Sequence, residues 1–264
     1  MHENRRGVLY PERLPEFRRL PPSPSLQHAV RWFWIPEWEL PEGAESRQEL
    51  LPFPACNLVV EPHGTYLFGP ATRRSERVLS GRGWAVGALL RPAAAVALEK
   101  EPALLRDDRA LVDAADLHSE VVTAMGDPRA GGDDRRARAV RAFEAWLGER
   151  VPEPVPGGEA ALANELERLL ADPGIVRVDQ LPALLHVSQR TVQRIAQRCF
   201  GLSPRAMIQR RRLQEGAERL REDPGLPIAT VAGELGYADH AHFTRDFKAL
   251  LGVTPSEYRA AATR

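Results

Sequence analysis

The chain has 264 residues, 43% hydrophobic and 27% charged, with 36 Lys and Arg balancing 36 Asp and Glu. This is the composition of a soluble globular protein with room for one large domain or two ordinary ones, and zero net charge argues against a non-specific architectural DNA binder. Two cysteines, Cys56 and Cys199, are too few and too far apart for a disulfide framework, and no apolar run approaches the roughly 20 residues that span a bilayer, so a cytoplasmic protein with no membrane partner is expected.

Residues 1–25 are rich in Arg, Glu and Pro, which reads as an arm or an edge strand, because Pro cannot sit in a central strand. The start lacks the apolar core of a signal peptide. Ala29–Trp38 is aromatic and β-prone. Cys56–Glu61 and Thr65–Gly69 read as two strands around Pro62-His63-Gly64, and Trp84–Leu90 as another. At Pro92 the period changes. Pro92–Glu101 is Ala-rich with Pro in its first turn, Ala103–Met125 has mixed helical spacing, and Asp133–Arg150 carries Val140, Phe143 and Leu147 on one face. Strands followed by helices predict an α+β N-terminal domain over residues 1–150, built on a small antiparallel sheet or a cupin-like barrel. Residues 151–158, VPEPVPGG, hold three Pro and two Gly and read as a linker. Residues 159–264 are then an all-α C-terminal domain.

That second part is basic. From Ile175 to Arg264 there are 14 Lys and Arg against 9 Asp and Glu, so the remainder is acidic by the same margin. It also contains an internal repeat. Sliding the chain by 51 places lays Ser188 on Asp239, Arg194 on Arg245, Gly201 on Gly252 and Ser203-Pro204 on Thr254-Pro255. Each copy reads as a short helix, a turn, a capped second helix, a Gly stop and a further capped helix. The pattern predicts two helix-turn-helix units at about 178–200 and 228–251. In unit one Leu181, Leu184 and Leu185 supply the buried face of the first helix, and Val192, Ile195, Ala196 and Cys199 that of the second. The opposite face offers Gln189, Arg190, Gln193, Arg194, Gln197 and Arg198. It has no acid, and Arg and Gln pair bidentately with guanine and adenine. In unit two Phe243, Phe247 and Leu250 are expected inside, with His240, Thr244, Arg245 and Lys248 outside; Ala241 and Asp246 make this face the poorer reader. Between the units Ser203–Arg221 reads as a long helix of about 25 Å. Its Arg210-Arg211-Arg212 can reach phosphates or stay solvated. Thr254 and Glu257 form a capping box.

The ordered run GYxDxxHFTRxFKxxxGxTPxxYR, with Leu181, Ser188, Arg190, Gln193-Arg194, Gly201 and Ser203-Pro204 in the first copy, resembles the AraC/XylS family of bacterial transcription regulators. The resemblance covers about a third of the chain. It implies a double helix-turn-helix DNA-binding domain in which Arg190, Gln193, Arg194, His240, Thr244 and Arg245 stand at base-reading positions. It also implies an N-terminal domain that binds an effector or dimerises. PxxxCNLVV…LFGPxTR…GWAVGALLRP is similar to an N-terminal domain of actinobacterial members of unknown ligand. The expected partners are double-stranded promoter or operator DNA, a small-molecule effector, RNA polymerase and a second copy of the chain; no cofactor, metal or enzymatic activity is expected.

Effector candidates are Trp34, Arg73, Trp84 and Arg91, with Trp32, Trp38 and Arg74 beside them in sequence. Tryptophans in a strand-rich half line a pocket or form core, and core is the commoner fate. Arginines there bind an anion or pair internally. Cys56 is read as an inert buried thiol or as a reactive one; the latter, as in a cysteine-dependent alkyl acceptor fused to the DNA-binding repeat, is the alternative function. His240 and His242 are two apart and cannot form an i,i+4 metal pair. Asp107-Asp108 read as exposed charges.

Overall fold

The computed structural model describes residues 16–50 and 52–262. The expectations for residues 1–15 lie outside them. The N-terminal half is α+β, as expected. Its main sheet runs β1 (Glu16–Leu20), β2 (Val30–Glu39), β8 (Val86–Leu90), β4 (Asn57–Glu61), β5 (Gly64–Phe68), β9 (Arg109–Leu111), all neighbours antiparallel, and β7 (Arg82–Trp84) also pairs with β2. β1 is an edge strand. A second sheet is the pair β3 (Glu45–Leu50) and β6 (Ser75–Ser80). Neither β3 nor β6 was expected. Both are polar and far apart in sequence, so no local hairpin signal marks them.

Period-two alternation sends the two faces of the main sheet to different environments. Phe33, Ile35, Leu58, Val60, Val86 and Ala88 face α2 (Ala115–Gly126) and α3 (Gly132–Arg150) in one core, where Phe33 meets Phe143 edge-on at 5.9 Å. Val140, Phe143 and Leu147 are buried there as their spacing predicts. All of β8 is buried, which is why it reads as a continuous apolar run. The helix α1 (Pro92–Leu98) follows directly. Ala103–Met125 is not one helical stretch: it contains a 3-10 turn at Pro102–Leu105, then β9, then α2.

Residues 152–158 form no helix or strand. Five helices then make the two expected helix-turn-helix units with α4 (Glu159–Ala171) in front: α5 (Gln180–Leu185), α6 (Gln189–Phe200), α7 (Pro204–Glu222), α8 (Ile228–Glu234) and α9 (His240–Leu251); α10 (Pro255–Ala262) closes the chain. The caps are those the sequence announces. Ser188 Oγ accepts from Thr191 N at 3.1 Å, Asp239 Oδ1 from His242 N at 2.7 Å, and Ser203 Oγ from Ala206 N at 3.2 Å. Thr254 and Glu257 satisfy each other's backbone N–H groups at 2.7 and 3.2 Å. Gly201 and Gly252 end α6 and α9 at φ +63° and +78°, the left-handed conformation that a side chain would strain.

Each unit has its own core. Leu166, Leu181, Leu185, Val192, Ile195 and Cys199 form the first; Leu213, Leu220, Val231, Phe243, Phe247 and Tyr258 form the second. The long helix α7, about 28 Å at 1.5 Å per residue, joins them. Two expected core positions are corrected. Leu184 is exposed, because α5 spans only six residues and turns one face inward. In α9 the residue at the closing end of the buried stripe is Leu251, with Leu250 only half-buried.

Candidate nucleic-acid interface and ligand cavity

The outward face of α6 is built as the sequence predicts. Gln189, Arg190, Gln193, Arg194 and Gln197 are all exposed, while Val192, Ile195 and Ala196 are buried behind them. Arg194 is 54% exposed and bonds Glu159 Oε1, at the start of α4, at 3.0 Å. Arg198 turns further inward: it bonds the same oxygen at 2.7 Å and the Lys100 carbonyl at 2.9 and 3.1 Å. Partial burial raises the pKa of Glu159, and the two guanidinium groups outweigh this and hold it below the usual carboxylate range. On α9, His240, Arg245 and Lys248 are exposed and Thr244 is half-buried, with its Oγ1 3.4 Å from His240 Nε2.

Two charge readings change. Asp246 does not sit on the outer face of α9: Gln209 of α7 donates to it at 2.5 Å and His242 lies 3.2 Å away. Arg210, Arg211 and Arg212 are not phosphate-facing. Arg210 donates to the Thr72 carbonyl at 2.6 Å, Arg211 to the Ile175 carbonyl at 2.9 Å, and Arg212 to the Leu235 carbonyl. All three are half-buried, and desolvation lowers the pKa of Arg210 and Arg211. A run of three arginines looks solvated in sequence; here each closes a backbone carbonyl that the packing of α7 leaves without a partner.

The second feature is a cavity of about 740 Å³ in the N-terminal half, between the other face of the main sheet and the β3–β6 pair. Trp32, Trp34, Pro36 and Trp38, at alternate positions of β2, line it together with Asn57 and Val59 of β4. Gln48 and Leu79, both buried, reach it from β3 and β6. Of the effector candidates, Trp34 and Arg73 line this space, as do Trp32, Trp38 and Arg74. Trp84 and Arg91 do not. Trp84 packs against the helix-covered core. Arg91 bonds the Gln27 carbonyl at 2.6 Å and Glu167 of α4 at 3.0 Å, so it ties the two halves together.

The cavity rim is also the contact with the helical half. Asp107, at φ +60°, accepts from Thr72 N and Oγ1 and from Arg73 N at 3.1 Å and Nε at 3.3 Å. Partial burial raises its pKa, and these bonds outweigh it and hold the carboxyl low. Thr72 accepts Arg210 of α7 on its carbonyl; Arg74 reaches the Leu251 carbonyl at the end of α9 at 3.4 Å; Gln214 of α7 donates to the Pro52 carbonyl at 3.3 Å. Phe53, Ala71, Arg73 and Arg74 thus wall the cavity and make or adjoin the bonds to α7 and α9, and Asp107, also in the wall, accepts from Thr72 and Arg73. Sequence reading missed this role for Asp107, whose only signal is a carboxylate beside a turn.

Cys56 is buried, and burial pushes its thiol up to about 12. The reactive-cysteine alternative therefore has no accessible thiolate to stand on.

Comparison with known proteins agrees with the helical half. Residues 181–261 match the family model described as a helix-turn-helix domain, and residues 18–110 match a domain of unknown function, DUF6597. The chain is 30% identical over 99 residues to the RCS-specific HTH-type transcriptional activator RclR of Escherichia coli, covering 37% of this chain and 34% of that protein. It is 32% identical over 117 residues to a putative AraC-like transcription regulator of Streptomyces antibioticus, covering 42% and 38%. These matches span little more than a third of each curated relative. Among solved structures, ToxT of Vibrio cholerae is 15% identical with a TM-score of 0.42, covering 88% of this chain and 98% of that one. No helix among the described residues is long and apolar enough to cross a membrane. The family match falls on the same residues as the two capped units, and residues 181–261 are a helix-turn-helix domain of the AraC type.

Proposed function

We propose that the protein is a sequence-specific, DNA-binding transcription regulator of the cytoplasm whose N-terminal half binds a small-molecule effector. The reading rests first on α6: five exposed Gln and Arg side chains on one face, no acid among them, backed by a packed core and a Ser cap. Gln189, Arg190, Gln193, Arg194 and Gln197 read bases; Arg245 and Lys248 of α9, with His240 and Thr244 beside them, dock the second unit in the next groove, mainly on the backbone. Residues 1–150 form the sensor, 151–158 the linker and 159–264 the DNA-binding domain. Trp34 and Arg73 contact the effector. Partners are promoter or operator DNA, RNA polymerase and a second copy of the chain, which adds avidity on repeated half-sites. The protein is not an enzyme.

The effector acts through the rim. Because Thr72, between the wall residues Ala71 and Arg73, bonds α7, and the wall residue Arg74 bonds α9, a ligand that moves the rim changes how the second unit is held relative to the first. The test is quantitative binding of the full chain to a DNA fragment selected from random duplexes. A specific complex that weakens steeply between 50 and 200 mM salt, on the order of 10³-fold or more, supports the reading; equal affinity for a scrambled duplex refutes it.

A further inference from the structure

The cavity floor has a construction that the helical half does not explain. Trp34 stands opposite Gly87 in the β2–β8 register, and Trp38 opposite Gly83 in the β2–β7 register. A Cβ added at Gly87 would lie 2.1 Å from Trp34 Cε2, and one at Gly83 would lie 2.3 Å from Trp38 Cζ2. No side chain fits at either position, so each indole lies over its glycine instead of standing off the sheet. Both are pinned by their ring N–H: Trp34 Nε1 donates to Asn57 Oδ1 at 3.0 Å and Trp38 Nε1 to the Ser80 carbonyl at 3.1 Å. An indole that rests one face on the sheet turns the other toward the space it lines. Two rigid π-faces therefore pave one floor, four residues apart on the same strand.

The charges around it select among occupants. Five arginines and four carboxylates line the cavity. Glu61 is paired with Arg77, Glu76 with Arg47 and Asp107 with Arg73. Arg19 sits over Trp32 at 4.7 Å and Arg109 over Phe68 at 5.5 Å, so the protein's own guanidinium groups already cover those rings. Among the described residues no cation lies over Trp34 or Trp38. A cationic ligand would meet this arginine-rich wall with three of its four acids ion-paired and the fourth, Asp108, accepting, among the described residues, only the Arg109 backbone N–H at 2.8 Å. A flexible chain would gain little from two fixed flat surfaces. A flat ring system gains stacking on both at small entropic cost, because the surface is preorganised.

We infer that the cavity binds a planar, multi-ring aromatic compound, neutral or anionic, stacked on Trp34 and Trp38. This rests on the reading of the N-terminal half as a sensor and names the class of its ligand.

The test uses the full-length protein and four probes: flavone (flat, neutral), anthraquinone-2-carboxylate (flat, anionic), proflavine (flat, cationic) and decanoate (flexible, anionic). Binding is read by calorimetry and by quenching of tryptophan fluorescence. Flavone and the anthraquinone bind at least tenfold more tightly than proflavine and decanoate. Trp34→Leu and Trp38→Leu each weaken them at least tenfold, Trp34→Phe less so, and Asn57→Ala, which unpins Trp34 without removing the ring, weakens them severalfold. Far-UV circular dichroism and retained DNA binding identify variants that still fold. Decanoate or proflavine binding as tightly as the flat neutral and anionic probes, no flat probe binding below 100 µM, or folded Trp34→Leu and Trp38→Leu variants with wild-type affinity would each overturn the assignment. DNA affinity measured with each probe separates the two readings. Flat probes that bind without changing DNA affinity leave the site standing and remove its role as sensor; decanoate alone binding and changing DNA affinity keeps the sensor and removes this ligand class.

Discussion

Substitutions at Arg194 and Lys248 test the proposed separation of base reading from backbone docking. Arg194 lies on the exposed face of α6, and its one ion pair among the described residues is with Glu159, whose side chain is itself 38% exposed. A surface pair of this kind is worth about 0–1 kcal/mol to the fold. Glu159 also keeps Arg198, at 2.7 Å, when Arg194 is gone. Arg194→Ala therefore leaves the protein folded, and its effect on DNA binding reports contact with DNA. Loss of a bidentate base contact costs about 1–3 kcal/mol, or roughly 5- to 150-fold, on the selected site and much less on a scrambled one. Lys248 is exposed near the end of α9, with no ion pair among the described residues. Lys248→Ala removes a phosphate contact, so it weakens both duplexes alike and lowers the slope of log K against log salt by about 0.9. The assay is fluorescence anisotropy on the two duplexes at several salt concentrations. An equal loss of discrimination from the two substitutions, or an unchanged ratio for Arg194→Ala, refutes the division of labour between the units.

Further outcomes follow from single contacts. Asp107→Asn keeps a residue tolerant of the left-handed backbone but removes the charge that Thr72 and Arg73 bind; ligand control of DNA affinity falls while DNA affinity without ligand changes little, as read by anisotropy with and without the bound probe. The same carboxyl has a depressed folded pKa, so its contribution is fully present above the unfolded value near 4 and is lost as pH falls through the lower folded one; Asp107→Asn abolishes the part of the acid sensitivity that arises there, measured by denaturant unfolding between about pH 5 and 2. Phe247→Ala, in a fully buried position between Phe243 and Tyr258, costs about 3–5 kcal/mol of stability in urea unfolding. Cys56 is unmodified by iodoacetamide in the folded protein at pH 8 and modified once it is unfolded, as mass spectrometry will show.

Legibility in the sequence followed locality. The helical half is readable because its signals are short-range: Ser188, Asp239, Ser203 and Thr254 cap the helices they precede, and Gly201 and Gly252 stop them. The exposed Gln and Arg face of α6 emerged from the same 3.6-residue period. The hairpin β4–β5 was legible for the same reason. The pair β3–β6 was not, since Glu45 meets Ser80 across thirty-five positions of chain and neither strand is apolar. The three arginines of α7 misled because exposure is a tertiary property; only the packed neighbours show that Thr72, Ile175 and Leu235 offer carbonyls there. The tryptophans of β2 were half legible. In sequence they read as pocket lining or core, and even spacing along one strand puts Trp32, Trp34 and Trp38 on one face, but that Gly87 and Gly83 lie beneath two of them depends on strand register.

The most direct measurement is a protection footprint of the full-length protein on its selected DNA site. Two protected major-groove patches about one helical turn apart, with Arg194→Ala weakening the patch under the first unit, are the expected result. No protected patch, or protection spread evenly along the fragment, would contradict sequence-specific reading by the two units.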